Sequence, residues 1–201
     1  MVLLAHREYT LKFCLISDFC LVFLWLWPEV AIMTGVSPDD FESAVENAVS
    51  KLTGISALYP SQKEVLWNLV QQENVFCTVP TNGGKTLPPV LLPSVVLELV
   101  KLGYDFPHDP RIIFVTALNS IQLSLTSSMA SLGIECAAIT TGNIEEVLKS
   151  GVGVLFVGPE VLKSEVVIKM LLKFRSSFMC KIVDEAHLGM YYINYIGDHF
   201  T

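Results

Sequence analysis

Short apolar runs alternate with helical patterns of apolar and polar positions along most of the chain. Five of the runs are nearly continuous in apolar residues and are bounded by turn-forming residues, which predicts short buried β-strands. The predicted strands are Asn74–Val79, Arg111–Thr116, Glu135–Ile139, Gly153–Val157 and Phe178–Val183. The segments between them predict helices over about Lys85–Lys101, Ser120–Leu132, Ile144–Lys149 and Pro159–Phe174. This alternation is typical of a parallel sheet covered by helices on both faces, so the sequence predicts an α/β fold.

The first 36 residues (1–36) form an apolar leader that is open to three interpretations. Its uninterrupted run, Phe19–Trp27, has nine residues, less than half of the roughly 20 that a membrane-spanning helix needs. Lys12, Asp18 and Glu29 bracket and interrupt the apolar stretch, and a charge near the middle of a span is costly. The leader is therefore a buried or non-native segment, a membrane anchor over residues 11–33, or a signal peptide that lacks a small-residue cleavage site.

Residues 37–54 predict an amphipathic helix that links the leader to the main domain, 55–201. Ser37 is a suitable N-cap and Pro38 suits the first helical position. Apolar residues then recur at helical spacing until Gly54, which favours helix termination.

Composition excludes several classes of protein. A hydrophobic content of 52% with only 16% charged residues excludes a disordered chain. The 13 basic and 20 acidic residues give a net charge of −7, which weighs against binding nucleic acid by net charge alone. The five cysteines form no C-x-x-C pair, so neither a disulfide framework nor a zinc site is predicted.

A phosphate-binding loop is predicted between the first of the five strands and its following helix, where residues 80–86 read PTNGGKT. Glycines let backbone N–H groups surround a phosphate, and the helix N-terminus adds its dipole. In such a loop Lys85 would neutralise the β- and γ-phosphates, and the Thr86 hydroxyl would bind Mg²⁺. The strict pattern requires glycine where this chain has Val79. An ordinary glycine-rich turn is therefore the alternative for the loop by itself.

A second motif, Asp184-Glu185-Ala186-His187, follows the last predicted strand, 99 residues after Lys85 (184 − 85). Ligand sites of parallel sheets lie beyond the carboxyl ends of the strands, where both motifs fall. Asp184 would hold Mg²⁺, and Glu185 would orient or deprotonate the attacking water. Together the two motifs predict hydrolysis of a nucleoside triphosphate, with Glu185, Lys85 and Asp184 as catalytic residues and with Thr86 and Asp184 as Mg²⁺ ligands.

This pair of motifs resembles motifs I and II of the superfamily 2 DEAD/DEAH-box helicases. The residues of the two motifs are most similar to those of the RecQ-like DNA helicases. Leu58–Gln62 resembles the upstream glutamine motif of that family, with Tyr59 where the family usually has arginine. Residues 115–121 and 157–162 lie where the family has two further motifs on its nucleic-acid side. The resemblance covers about residues 55–190 and implies that Gln62 reads the adenine edge. The implied cofactor-binding residues are Gln62, Thr81, Asn82, Gly83, Gly84, Lys85 and Thr86.

The resemblance implies a RecA-like P-loop NTPase lobe with ATP and Mg²⁺ as cofactors and 3′-to-5′ DNA unwinding as the reaction. Single-stranded or forked DNA would be the partner, in the nucleus or elsewhere inside the cell. The family's second lobe, with its arginine fingers, is missing from this sequence, which predicts a truncated lobe. The alternative is therefore a nucleotide-binding module that binds ATP without unwinding or turnover, unless a second RecA-like lobe acts in trans.

One locally basic region stands out in the main domain, which is otherwise acidic, with 10 basic and 13 acidic residues over 55–201 (10 − 13 = −3). It has two interpretations, a solvated helix face or a patch that follows a DNA strand. With this balance, the lobe alone is expected to bind DNA weakly. The region comprises Lys163, Lys169, Lys173, Arg175 and Lys181.

Overall fold

A seven-stranded sheet organises the fold in the computed structural model, which describes residues 2–4, 20–26, 35–79, 83–116 and 119–184. The strands are β1 (Val2–Leu4), β2 (Cys20–Leu26), β3 (Val75–Val79), β4 (Arg111–Val115), β5 (Cys136–Ile139), β6 (Val154–Val157) and β7 (Phe178–Asp184). The helices are α1 (Pro38–Val49), α2 (Pro60–Val70), α3 (Leu87–Lys101), α4 (Asn119–Ser131), α5 (Ile144–Lys149), α6 (Pro159–Leu162) and α7 (Glu165–Lys173). A short 3₁₀ turn, Arg175–Ser177, precedes β7.

Four neighbouring strands, in the order β7-β4-β6-β5, form an all-parallel sheet with helices packed against it. Each of the five strands expected from the sequence is present, within one residue of its expected ends. The prediction of an α/β fold is confirmed at this level.

The other half of the sheet is antiparallel. Strand β2 lies between β3 and β7 and runs antiparallel to both, and β1 lies antiparallel on the far side of β3. The expectation of one parallel sheet is therefore wrong for β3, which points in the same direction as β7 without pairing with it. The apolar pattern of a strand reports burial on both faces but does not specify the direction of its neighbours.

Of the apolar stretch 11–33, the structure describes residues 20–26, which form β2, and the rest lies outside the described residues. Within the described part of the chain, no helix is both long enough and apolar enough to cross a membrane.

Side chains of the central strands alternate between two apolar clusters, one on each face of the sheet. In β4, Ile112 and Phe114 belong to one cluster, whereas Ile113 and Val115 belong to the other. Successive side chains of a strand point to opposite faces, so a strand covered on both faces is apolar at every position. Helices α1 to α4 complete the first cluster, and α5, α6 and α7 complete the second.

Three helices differ from the sequence expectation. The linking helix α1 begins as predicted, with the Asp40 N–H donating to the Ser37 hydroxyl at 3.1 Å, but it ends at Val49. The single helix expected over 159–174 is interrupted because Ser164 has extended backbone angles, which separates α6 from α7. Helix α2 was not predicted; it begins with Pro60 at a first-turn position, where the missing N–H costs nothing.

Candidate functional site

Two strand ends and one helix start meet at the candidate site. Strands β3 and β7 point in the same direction, so their carboxyl ends lie at the same edge of the sheet. The chain leaves β3 at Val79, and the described part of the phosphate loop resumes at Gly83 and continues into α3. Strand β7 ends at Asp184. The described part of the loop and Asp184 thus lie at one edge of the sheet, where Lys85 approaches Asp184.

Lys85 and Asp184 form an ion pair across this edge. The Lys85 Nζ lies 3.4 Å from the Asp184 Oδ1. The two side chains are only 13% and 10% exposed, and charges shielded from water interact more strongly than exposed ones. The fold therefore brings together the lysine of one predicted motif and the first carboxylate of the other.

Gln62 on α2 contacts the predicted phosphate loop. The Gln62 Nε2 donates a hydrogen bond to the Gly84 carbonyl at 3.0 Å, and its Oε1 accepts one from the Tyr59 N–H at 2.9 Å. Gln62 is 7% exposed. These two hydrogen bonds connect the start of α2 to the loop.

Gly84 is required by its backbone and by its neighbour. Its φ of +71° lies in the left-handed region that disfavours side chains. A Cβ built at this position would also lie 2.5 Å from the Gln62 Nε2, closer than side-chain atoms approach each other. Two separate physical constraints, the backbone conformation and the nearby Gln62 side chain, thus favour glycine at position 84.

Thr86 and Asp184 offer the oxygen atoms that suit a magnesium ion. Thr86 is the N-cap residue of α3, is half-buried, and makes no side-chain capping hydrogen bond. Hydroxyl and carboxylate oxygens are hard ligands, and Mg²⁺ in nucleotide sites is commonly held by one or two protein groups together with substrate phosphates. The donor set therefore fits Mg²⁺. Among the described residues, no group of three or more His, Cys, Asp or Glu side chains could hold a metal ion.

The first turn of α3 contains two prolines directly after the loop. Pro88 and Pro89 lie in the first turn, where the N–H groups of a helix have no intrahelical partner. The Leu87 N–H donates to the Gly84 carbonyl at 3.3 Å and closes the turn between loop and helix. The two prolines thus remove N–H groups only from the first turn of α3, and the loop residues before them keep their backbone N–H groups.

Three residues of the predicted site, Thr81, Asn82 and Glu185, lie outside the described residues. Their roles stay predictions. Two other strand ends reach the same edge: Thr116 follows β4 and is fully buried, and Gly158 follows β6. Both belong to the stretches that the resemblance places on the nucleic-acid side.

The predicted basic region is not one surface patch. Lys181 is 6% exposed within β7, and burial lowers the pKa of its ammonium group to about 8. Lys163 pairs with Glu160 at 2.9 Å, and Lys169 pairs with Glu165 at 3.1 Å. Lys181 must therefore be removed from the region, and two of its other lysines are matched by carboxylates one helical turn away.

Sequence reasoning missed the contact between Gln62 and the loop. The signal that could have found part of it is the glutamine three residues after Tyr59, because a glutamine at this position can accept from the N–H of the residue that precedes the helix, as Gln62 does from Tyr59 at 2.9 Å. This local pattern predicts that the glutamine side chain lies at the start of the helix. It does not predict that the same side chain also donates to a carbonyl of the loop.

No family model, no curated protein and no solved structure matches this chain. The chemistry of the site is therefore inferred from its own residues.

Proposed function

We propose that this chain is the ATP-binding lobe of a RecQ-like 3′-to-5′ DNA helicase, in which hydrolysis of Mg²⁺-ATP is coupled to strand separation. The observation that carries the proposal is the 3.4 Å pair of Lys85 and Asp184. Two motifs that are far apart in sequence are chemically related only if they share a site. This contact supports the proposal because a phosphate-binding lysine and a Mg²⁺-binding carboxylate act on the same triphosphate.

Each described residue of the site has a proposed role that its position supports, and the role of Glu185 is proposed from the sequence. The ammonium group of Lys85, at the end of the glycine-rich loop, would bind the β- and γ-phosphates. The backbone N–H groups from Gly83 onward would bind phosphate oxygens. Asp184 and Thr86 would hold Mg²⁺, which neutralises charge on the phosphoryl oxygens. Glu185 would position the attacking water. Catalysis of this type depends on positioning and electrostatics, with little covalent chemistry for the protein.

The DNA partner and the nuclear or otherwise intracellular location are proposed from the resemblance. With Lys181 buried and Lys163 and Lys169 matched by carboxylates, the described surface offers little uncompensated positive charge there. DNA affinity depends on the number of phosphates that Lys and Arg neutralise. Weak DNA binding by this lobe alone is therefore expected, and a second RecA-like lobe is a proposed partner.

The test is ATP binding by calorimetry and ATP hydrolysis with and without single-stranded DNA, on the whole chain. Lys85→Ala removes the phosphate-binding cation, and we expect it to abolish ATP affinity. Lys149→Ala is the matched control, because Lys149 is an exposed lysine on α5 that pairs with Glu145 at 2.7 Å. That variant should bind ATP as the wild type does.

Three results are decisive. ATP binding that depends on Lys85, with turnover stimulated by DNA, supports the helicase lobe. Binding that depends on Lys85 without turnover supports the alternative, a nucleotide-binding module. Equal ATP affinity in the wild type and in Lys85→Ala would refute the assignment of the phosphate loop.

A further inference from the structure

We propose that an open groove between α1 and α2 binds an arginine side chain of a partner protein. The groove has a volume of about 290 Å³, which is at the lower end of the roughly 300–1,000 Å³ of small-ligand pockets and suits a single side chain. The proposal does not depend on the nucleotide chemistry of the strand-end site. The α1–α2 groove is lined by Pro38, Phe41, Glu42, Lys63, Glu64 and Trp67.

Three rings form the apolar part of the groove. The Phe41 and Trp67 rings meet edge to face, with their centroids 5.0 Å apart and their planes at 76°. Phe41 is 3% exposed, whereas Trp67 is part-buried and Pro38 is exposed. The contact with the buried Phe41 ring holds Trp67 in place at the groove. An indole ring binds a cation over its face more strongly than the other aromatic side chains do.

Acidic side chains lie beside these rings. The Glu42 carboxylate on α1 pairs with the Lys63 ammonium group on α2. Glu64 is exposed, and no ion pair joins its carboxylate to a cation among the described residues. The groove therefore has two carboxylates against one ammonium group, and a cationic ligand is complementary to it in charge.

A guanidinium group on an apolar stem matches these two features together. The group is planar, so it can stack on an aromatic face, and it can donate two parallel N–H bonds to one carboxylate. In the groove it would lie on Trp67 and pair with Glu64, with its stem along Pro38. The ammonium group of lysine is compact and strongly hydrated, and it lacks both of these contacts.

The acidic surface next to the groove indicates that the arginine belongs to a longer basic segment. Asp39, Glu42 and Glu46 are spaced three and four residues apart on α1, so they lie on one face of the helix. Asp39 and Glu46 are both exposed, and α1 contains no basic residue. Complementary charge around a contact strengthens the attraction of a partner. A peptide with further basic residues should therefore bind more tightly than a free guanidinium compound.

The experiment titrates the whole chain with the peptide acetyl-Lys-Gly-Arg-Gly-Lys-amide and follows the indole N–H signal of Trp67 by NMR. A second peptide has citrulline in place of arginine, which keeps nearly the same shape without the charge. Agmatine serves as the free guanidinium compound. We expect the arginine peptide to bind with a Kd on the order of 1 mM, and both other ligands to bind at least about fivefold more weakly.

Two variants locate the binding site. Glu64→Gln removes the unpaired carboxylate and should weaken the arginine peptide by about fivefold. Trp67→Leu should weaken it by a similar factor, and the loss of its indole signal identifies that signal in the wild-type spectrum. Glu146→Gln is the matched control, because Glu146 is an exposed carboxylate on α5, and it should leave the affinity unchanged. Since Glu64 is exposed, its variant remains informative even if Trp67→Leu does not fold.

Each contrary result refutes a different part of the proposal. Equal affinities for the arginine and citrulline peptides would show that the charge is not recognised. Agmatine binding as tightly as the arginine peptide would exclude a partner protein as the preferred source of the guanidinium group. Unchanged affinity in Glu64→Gln, or no change in the Trp67 signal when the peptide is added, would exclude the α1–α2 groove as the site.

Discussion

Replacing the buried lysine of β7 should stabilise the protein in a way that depends on pH. Lys181 is 6% exposed and lies in register with Trp25 on β2 and Ile113 on β4. Burial disfavours the charged form of an amine, and here it lowers the pKa from 10.5 to about 8. We expect Lys181→Met, which keeps a long flexible stem without the charge, to raise the free energy of unfolding at pH 7.

The size and sign follow from proton linkage. The difference between 10.5 and about 8, at about 1.4 kcal/mol per pH unit, corresponds to roughly 3 kcal/mol. Between these two pH values the unfolded chain binds more protons than the folded chain, so stability rises with pH. Below about pH 8 the penalty is complete, and above about pH 10.5 it disappears. The advantage of Lys181→Met should therefore be about 1–3 kcal/mol at pH 7 and close to zero near pH 10.5.

Urea unfolding at pH 7, 8.5 and 10 measures this difference, with Lys149→Met as the control for an exposed lysine. The control should differ little from the wild type at every pH, since surface substitutions are usually small in effect. A variant that is less stable than the wild type at pH 7, and loses that deficit as the pH rises, would refute the reasoning. The ammonium group would then be stabilising in the folded state.

Two further predictions test local features of the fold. Val22 lies opposite the native Cys77 in the β2–β3 register, so oxidation of Val22→Cys should produce a 22–77 disulfide, detectable by peptide mass mapping. Phe23→Cys, one residue out of that register, should give no 23–77 link, and an equal yield would contradict the pairing. Tyr104→Phe removes the hydroxyl that donates to Asp40 at 2.6 Å, the main cause of the lowered pKa of that carboxyl. Its pKa should rise toward the ordinary value in an NMR titration, and no rise would contradict the contact.

The sequence by itself determined the five strands of the main domain, most of its helices, and the positions of the two motifs along it. Strand β4 was predictable because Arg111–Val115 has no polar alternation, which indicates a strand covered on both faces. The start of α1 was predictable because the Ser37 cap is a local interaction. The positions of Lys85 after one strand and of Asp184 at the end of another were predictable for the same reason, because each depends on residues close in sequence.

Tertiary structure decided which of these elements meet. Backbone hydrogen bonds of a sheet are the same for every sequence, so nothing in the apolar run 19–27 specifies that β2 lies antiparallel between β3 and β7. The contact of Gln62 with Gly84 joins residues 22 positions apart, and the burial of Lys181 depends on the strands beside it. Apolar periodicity indicates which residues are buried but does not indicate which residues contact each other. Contacts between residues that are far apart in sequence depend on the packing of the whole fold.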